Sequence, residues 1–220
     1  MSGAAVLAMP EIPPQQRPED IPAELTIYQA IECLEHFECQ QNPGEIEQFI
    51  EIARGKSSYL EIGSNFGGSL WRVGSMLAPG AQIVSLDLPE QRHKWVLPLH
   101  SLKFNCQRLA DLGYKVQLVI GDSHVMLTQT MVRKYGPFEI GFIDGDHSYE
   151  GVKKDWEDYG PMCKIVGFHD ISGGTDGCVK FWNELKAEGK YRMLEFDAPR
   201  HLVTTGDWLK LGIGVVFMEA

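Results

Sequence analysis

From residue 59 onward the chain alternates short apolar runs with amphipathic stretches, and each run stops at a polar residue or a glycine. The runs fall at 59–62, 82–86, 116–120, 138–143 and 165–168. They end at Glu61 and Gly63, then Asp87, Asp122, Asp144, and the pair His169-Asp170. Helical periodicity fills the gaps at 69–77, 99–112, 125–135, 149–159 and 179–186. Strands separated by helices predict an α/β domain with a mostly parallel sheet. Such sheets bind ligands beyond the carboxyl ends of their strands, which is where these polar residues gather. The tail from Arg192 reads as strands, with 213–218 the strongest.

The region before residue 58 has a different grain. Pro10, Pro13, Pro14, Pro18 and Pro22 prevent a regular helix, so 1–24 is read as a proline-rich extended arm. Residues 25–57 are read as a helical cap: a helix over 27–37, a break at Asn42-Pro43-Gly44, and a second helix over 45–54 with Ile46, Phe49, Ile50 and Ala53 on one face. The main domain is then 58–220. With 20 Lys and Arg against 30 Asp and Glu, the net charge of −10 argues against nonspecific nucleic-acid binding, which needs a cationic face. No apolar run approaches the roughly 18 residues of a membrane span, and the apolar start lacks a basic leader. Cys33, Cys39, Cys106, Cys163 and Cys178 are odd in number and contain no CxxC pair, which suits reduced thiols in the cytoplasm better than disulfides or structural zinc.

The turn Glu61-Ile-Gly63-Ser64-Asn65-Phe-Gly67-Gly68-Ser69 follows a strand and opens a helix. Glycines there admit positive φ and let a ligand approach the backbone. The spacing is neither that of a dinucleotide fingerprint nor that of a Walker loop, so a nicotinamide dehydrogenase is disfavoured. An acid about 20 residues on, Asp87, can accept from both ribose hydroxyls. The leading Glu61 suits a cationic ligand better than a pyrophosphate.

On these residues the stretch 59–170 resembles the class I S-adenosylmethionine-dependent methyltransferases, in the O-methyltransferase branch of the catechol and caffeoyl-coenzyme A types and their bacterial antibiotic- and sugar-methylating relatives. The blocks that carry the resemblance are the Glu61–Ser69 turn, Asp87, Gly121-Asp122-Ser123-His124, the run Asp144-Gly-Asp146-His147-Ser-Tyr149-Glu150, and His169-Asp170. It implies a Rossmann-like, seven-stranded, mostly parallel sheet flanked by helices, its last strand antiparallel. It also implies that Glu61, Gly63, Ser64, Asn65, Gly67, Ser69, Asp87, Asp122, Ser123 and Asp144 bind S-adenosylmethionine, with Ser69 on the methionine carboxylate and Asp122-Ser123 at the adenine. Asp144, His169 and Asp170 would hold a divalent cation, Mg or Mn, that lowers the pKa of an acceptor hydroxyl. Asp144 and His147 would be catalytic, His147 removing the proton near neutral pH without a shifted pKa. The acceptor would be a small hydroxylated molecule and the assembly a homodimer, with the cap covering the site or forming the interface. Trp95 is a candidate to cover the adenine. Two features depart from the pattern: no paired glycines precede the fifth strand, and 172–177 is a glycine-rich lip. A metal-independent transferase and a noncatalytic S-adenosylmethionine-binding or assembly protein are the competing readings.

Overall fold

Each of the five apolar runs forms a strand: β1 (Ser58–Ile62), β2 (Gln82–Asp87), β3 (Lys115–Ile120), β4 (Phe138–Ile143) and β5 (Cys163–His169). The structure, a computed structural model, describes residues 41–88, 97–173, 176–197, 200–201, 208–209 and 211–218. The proline-rich arm, the helix expected over 27–37 and Trp95 lie outside the described residues. Strands β6 (Arg192–Phe196) and β9 (Ile213–Phe217) complete a seven-stranded sheet of order β3-β2-β1-β4-β5-β9-β6. The pairings among β1 to β5 are parallel, and β9 runs antiparallel to both of its neighbours, β5 and β6. Strands β7 (Arg200–His201) and β8 (Trp208–Leu209) pair antiparallel in a second, two-stranded sheet.

Helices α1 (Pro43–Ala53), α2 (Gly68–Gly74), α3 (Leu97–Asp111), α4 (Met126–Arg133), α5 (Tyr149–Tyr159) and α6 (Asp176–Glu188) cover the two faces. The central strands are buried and mainly apolar because both faces are covered, with Glu61 and Ser85 among the buried polar exceptions. Along β1, Tyr59 joins the core under α1, α2 and α3 with Phe49, Leu70, Leu102 and Phe142. Leu60, pointing the other way, joins the core under α5 and α6 with Trp156, Phe168, Phe181 and Trp182. No helix among the described residues is long and apolar enough to cross a membrane.

The differences from expectation are local. The helix expected from residue 45 starts at Pro43, which occupies the first turn of α1, where its missing N–H has no partner to lose. Helix α2 stops at Gly74, short of the expected residue 77, and Met76 and Leu77 close against it through turn bonds to Val73 and Gly74. In place of the glycine turn before β5, Gly160–Met162 forms one 3₁₀ turn with Pro161 in its first positions, and β5 starts at Cys163.

Chain order matters most at the middle of the sheet. From β1 the chain moves outward through β2 to β3, then crosses back to place β4 on the other side of β1. The carboxyl ends of β1 and β4 therefore border the switch-point crevice.

Close packing of the neighbouring strands β5 and β9 depends on glycine. A Cβ at Gly214 would lie 2.5 Å from the Trp182 ring, and one at Gly167 would lie 2.5 Å from Phe49. Gly214→Ala and Gly167→Ala are each expected to lower stability by about 1–3 kcal/mol through overpacking, read as a lower urea midpoint at unchanged slope. A neutral effect of both would show that the two faces are looser than described.

Candidate active site

The turn after β1 is held from three directions. Gly63, at φ 82°, packs so closely on β4 that a Cβ would lie 2.1 Å from the Asp144 carbonyl oxygen. Its N–H donates to Leu86 at 2.9 Å, while Asp144 N–H donates to Ile62 at 2.8 Å. Asn65 also has positive φ, and its N–H donates to the Asp87 carboxylate at the end of β2. Burial raises the Asp87 pKa, against the backbone N–H groups of Asn65, Leu88 and Ser64 that favour its charge. From α3, Asn105 donates to the Phe66 carbonyl at 2.9 Å. Asn105 was not among the expected site residues, because a single polar side chain on a helix carries no signal of what it will face.

Two expected cofactor residues bond each other. Glu61 is fully buried; Ser69 Oγ donates to it at 2.9 Å and Tyr59 OH donates to its other oxygen. Burial pushes the Glu61 carboxyl up to about 7, against those two donors. Ser64 Oγ accepts from Ser85 Oγ at 2.7 Å. At the end of β3, exposed Asp122 accepts from His124 N–H at 2.8 Å, and the Ser123 carbonyl accepts from Tyr159 OH at 2.7 Å. Beside this loop, His124 Nε2 lies 3.3 Å from the wholly buried Asp155, whose pKa burial raises to about 6. Asp146 accepts from Ser148 N–H at 2.9 Å at the start of α5.

Across the crevice, carboxylates and imidazoles alternate. His147 Nδ1 is 2.9 Å from Asp170 Oδ2, and its Nε2 is 3.3 Å from Asp144 Oδ1. His169 Nδ1 is 3.1 Å from the same Asp144 oxygen and 3.4 Å from Asp170 Oδ1. Its Nε2 is 3.3 Å from Glu45 Oε1. Asp144 Oδ2 accepts from Gln41 Nε2 at 2.6 Å, and Glu45 accepts from the N–H groups of Asn42 at 2.8 Å and Gly212 at 2.9 Å. Asp170 adopts φ 60°, in the left-handed region that among non-glycine residues aspartate and asparagine enter most readily. Glu45 and Gln41 were missed as site residues: three residues after Asn42, a glutamate reads as a helix cap.

These contacts set the charges. The hydrogen bonds of His147 to Asp144 and Asp170 outweigh its burial and raise its pKa to about 11. Burial opposes the charge on His169, but Asp144, Glu45 and Asp170 together raise its pKa to about 10. Burial likewise opposes the charge on Asp144, but the two imidazoles bring its pKa down to about 2. The expectation of an unshifted His147 is therefore corrected: at neutral pH the ring is a cation held by two carboxylates.

The expected metal ligands Asp144, His169 and Asp170 do come together, but as hydrogen-bonding partners. Among the described residues no group of three or more His, Cys, Asp or Glu side chains is arranged to hold a metal ion. Both His169 nitrogens face carboxylates, and both Asp144 oxygens have donors. The side chains as arranged do not fit a divalent cation.

The methyltransferase-domain family matches residues 60–171. No curated protein matches the chain. Among solved structures, the fold is similar to an O-methyltransferase from Bacillus cereus in complex with SAH, at TM-score 0.60 and 18% identity over 86% of each chain. It is also similar to the O-methyltransferase TomG from Streptomyces achromogenes, involved in tomaymycin synthesis and solved with SAM, at TM-score 0.58 and 16% identity over 82% of each chain.

The buried charges give stability a definite pH dependence. His147 and His169 bind protons more tightly when folded, so their contribution is complete below their ordinary pKa of 6.5 and is lost as pH rises toward 10–11. Glu61 acts in the same sense between 4.5 and about 7. Asp144, depressed from 3.8 to about 2, contributes above 3.8 and loses its contribution as pH falls toward 2. The melting temperature is expected to fall steadily from pH 6 to pH 9, and His147→Asn to flatten that decline. A melting temperature that rises over this range would contradict the charge assignment.

Proposed function

The chain belongs to the methyltransferase-domain family, and on that footing we propose that it is an S-adenosylmethionine-dependent O-methyltransferase acting on a hydroxyl of a small molecule. The observation that carries this reading is the seating of the Gly63 turn directly on the Asp144 backbone. That contact sets the glycine turn, read here as the cofactor cradle, beside the acid–imidazole row at the switch point of the sheet. Two proteins of similar fold were solved with SAH and SAM.

In this reading the backbone from Gly63 to Gly67, including Ser64 and Asn65, cradles the cofactor, and Asp87 accepts from the ribose hydroxyls. Asp122 and Ser123 border the adenine. Asp144, beyond the turn, supplies negative charge to a ligand with ammonium and sulfonium centres, and Glu61, buried beneath the turn with its pKa raised to about 7, adds to it when ionised. The Ser69 hydroxyl acts through Glu61, the group to which it donates.

The transfer is an in-line displacement: the acceptor oxygen forms a bond to the methyl carbon as the carbon–sulfur bond breaks, and sulfur keeps that electron pair. The main requirement is alignment. His147 Nδ1 is pinned by Asp170, so Nε2 faces Asp144 across 3.3 Å. An acceptor oxygen docks at this pair. Its proton becomes strongly acidic as the new bond forms and passes to the Asp144 carboxylate, since the His147 ring already carries a hydrogen on each nitrogen. No step is assigned to a metal. Buried thiols at Cys106, Cys163 and Cys178, none in a disulfide among the described residues, support a reducing, cytoplasmic setting, and the proposed assembly is a homodimer.

Calorimetry with S-adenosylhomocysteine is the test. Asp87→Ala is expected to weaken binding by about 10–100-fold, as befits loss of hydrogen bonds to a charged group. Methyl transfer from labelled S-adenosylmethionine to a panel of phenols, catechols and sugars should lose most of its rate in His147→Ala. Equal affinity of the Asp87→Ala protein and the parent would remove the cofactor assignment.

A further inference from the structure

Asp144 and Asp170 follow neighbouring parallel strands, β4 and β5, and their carboxylates would repel unless something positive lay between them. The imidazole of His147 lies there, with Nδ1 2.9 Å from Asp170 Oδ2 and Nε2 3.3 Å from Asp144 Oδ1. A second ring backs the first. His169 is only 5% exposed, with carboxylate oxygens opposite both nitrogens: Asp144 at 3.1 Å and Glu45 at 3.3 Å. A ring nitrogen without hydrogen would present a lone pair to a carboxylate, so with all the acids ionised this arrangement is satisfied when all four nitrogens carry hydrogens. Gln41 Nε2 supplies a donor to the other Asp144 oxygen at 2.6 Å.

We propose that His147, backed by His169, fills with its own ring the place of a divalent cation between Asp144 and Asp170, so that this site works without a metal. For a hard cation to enter, it would have to displace one ring from two carboxylates and detach the other from Glu45, and hard cations bind imidazole less readily than oxygen. The ring provides part of what a cation would: a positive group that holds two acids together and can donate a hydrogen bond to an acceptor oxygen. This last role rests on the O-methyltransferase reading; the filled cation site does not.

The proposal has a corollary. Among the described residues Asp170 Oδ1 has no hydrogen-bond partner, His169 Nδ1 approaching it only to 3.4 Å. Removing the His147 ring leaves two facing carboxylates, one with a free oxygen, which is the donor set a hard cation prefers.

The test is a titration of Mn2+ followed by the electron paramagnetic resonance signal of the free ion. The parent protein is expected to leave the signal unchanged. His147→Ala is expected to deplete about one Mn2+ per chain, and His147→Ala combined with Asp144→Asn to lose that binding. Uptake of Mn2+ by the parent, abolished by Asp144→Asn, would overturn the proposal. So would a His147→Ala protein that melts cooperatively and takes up no Mn2+. If the alanine variant does not fold, His147→Ser takes its place, and the parent titration stands as a test by itself. S-adenosylhomocysteine calorimetry on the same samples keeps the two readings apart. Absent nucleoside binding removes the function and leaves the cation result intact. Nucleoside binding with Mn2+ uptake by the parent removes only the filled-site proposal. Where turnover is found, a chelator should change the parent rate by less than about twofold, since no bound cation is there to activate the acceptor.

Discussion

The missing side chain of Gly63 is the constraint on which the site depends. At φ 82° the turn folds back over β4, and a Cβ would lie 2.1 Å from the Asp144 carbonyl oxygen. Any other residue would both strain the backbone and push the turn off the strand. Backbone bonds from Gly63 to Leu86 and from Asp144 to Ile62 then link the ends of β2, β1 and β4. Because the sheet reverses its order at β1 and β4, this join lies at the mouth of the crevice. The glycine turn and the acid–imidazole row are therefore parts of one corner of the fold.

A second constraint is electrostatic. Glu45, Asp144, His169 and Asp170 are nearly removed from water, and a buried charge is tolerated only when paired and hydrogen-bonded. The alternation Asp170, His147, Asp144, His169, Glu45 meets that demand along a chain of five groups. Such pairing is weak evidence of net stability. Its consequence is geometric: each ring is oriented by a carboxylate on either side, and helix α1 is tied to the crevice through Glu45 and Gln41. The residues before β1 thus help to build the site as well as cover the sheet.

Much of the architecture was legible in the sequence. Strand β4 and helix α5 fall where periodicity placed them, because a fully buried parallel strand and an amphipathic helix each impose a repeat on their residues. Boundaries slipped where local chemistry has two uses. Pro43 punctuates a helix equally well from its first turn or beyond its end, and β5 extends back to Cys163 because a 3₁₀ turn replaces the glycine turn. At the site, the turn and Asp87 were legible for the same local reason: positive φ and a fixed offset to the next strand end are written in consecutive residues. Glu45 was not, since its partner His169 lies 124 positions away.

The sequence by itself determined the alternation of strands and helices, the glycine turn, and which acids stand at the strand ends, because each follows from steric and solvation preferences repeated along neighbouring residues. Only the tertiary structure decided what those acids face. It placed the His147 ring between Asp144 and Asp170, backed it with His169 and Glu45, and turned Ser69 onto Glu61. Pairing of buried charges depends on distances across the fold and on the water excluded from between them, and neither is a property of any single stretch of chain.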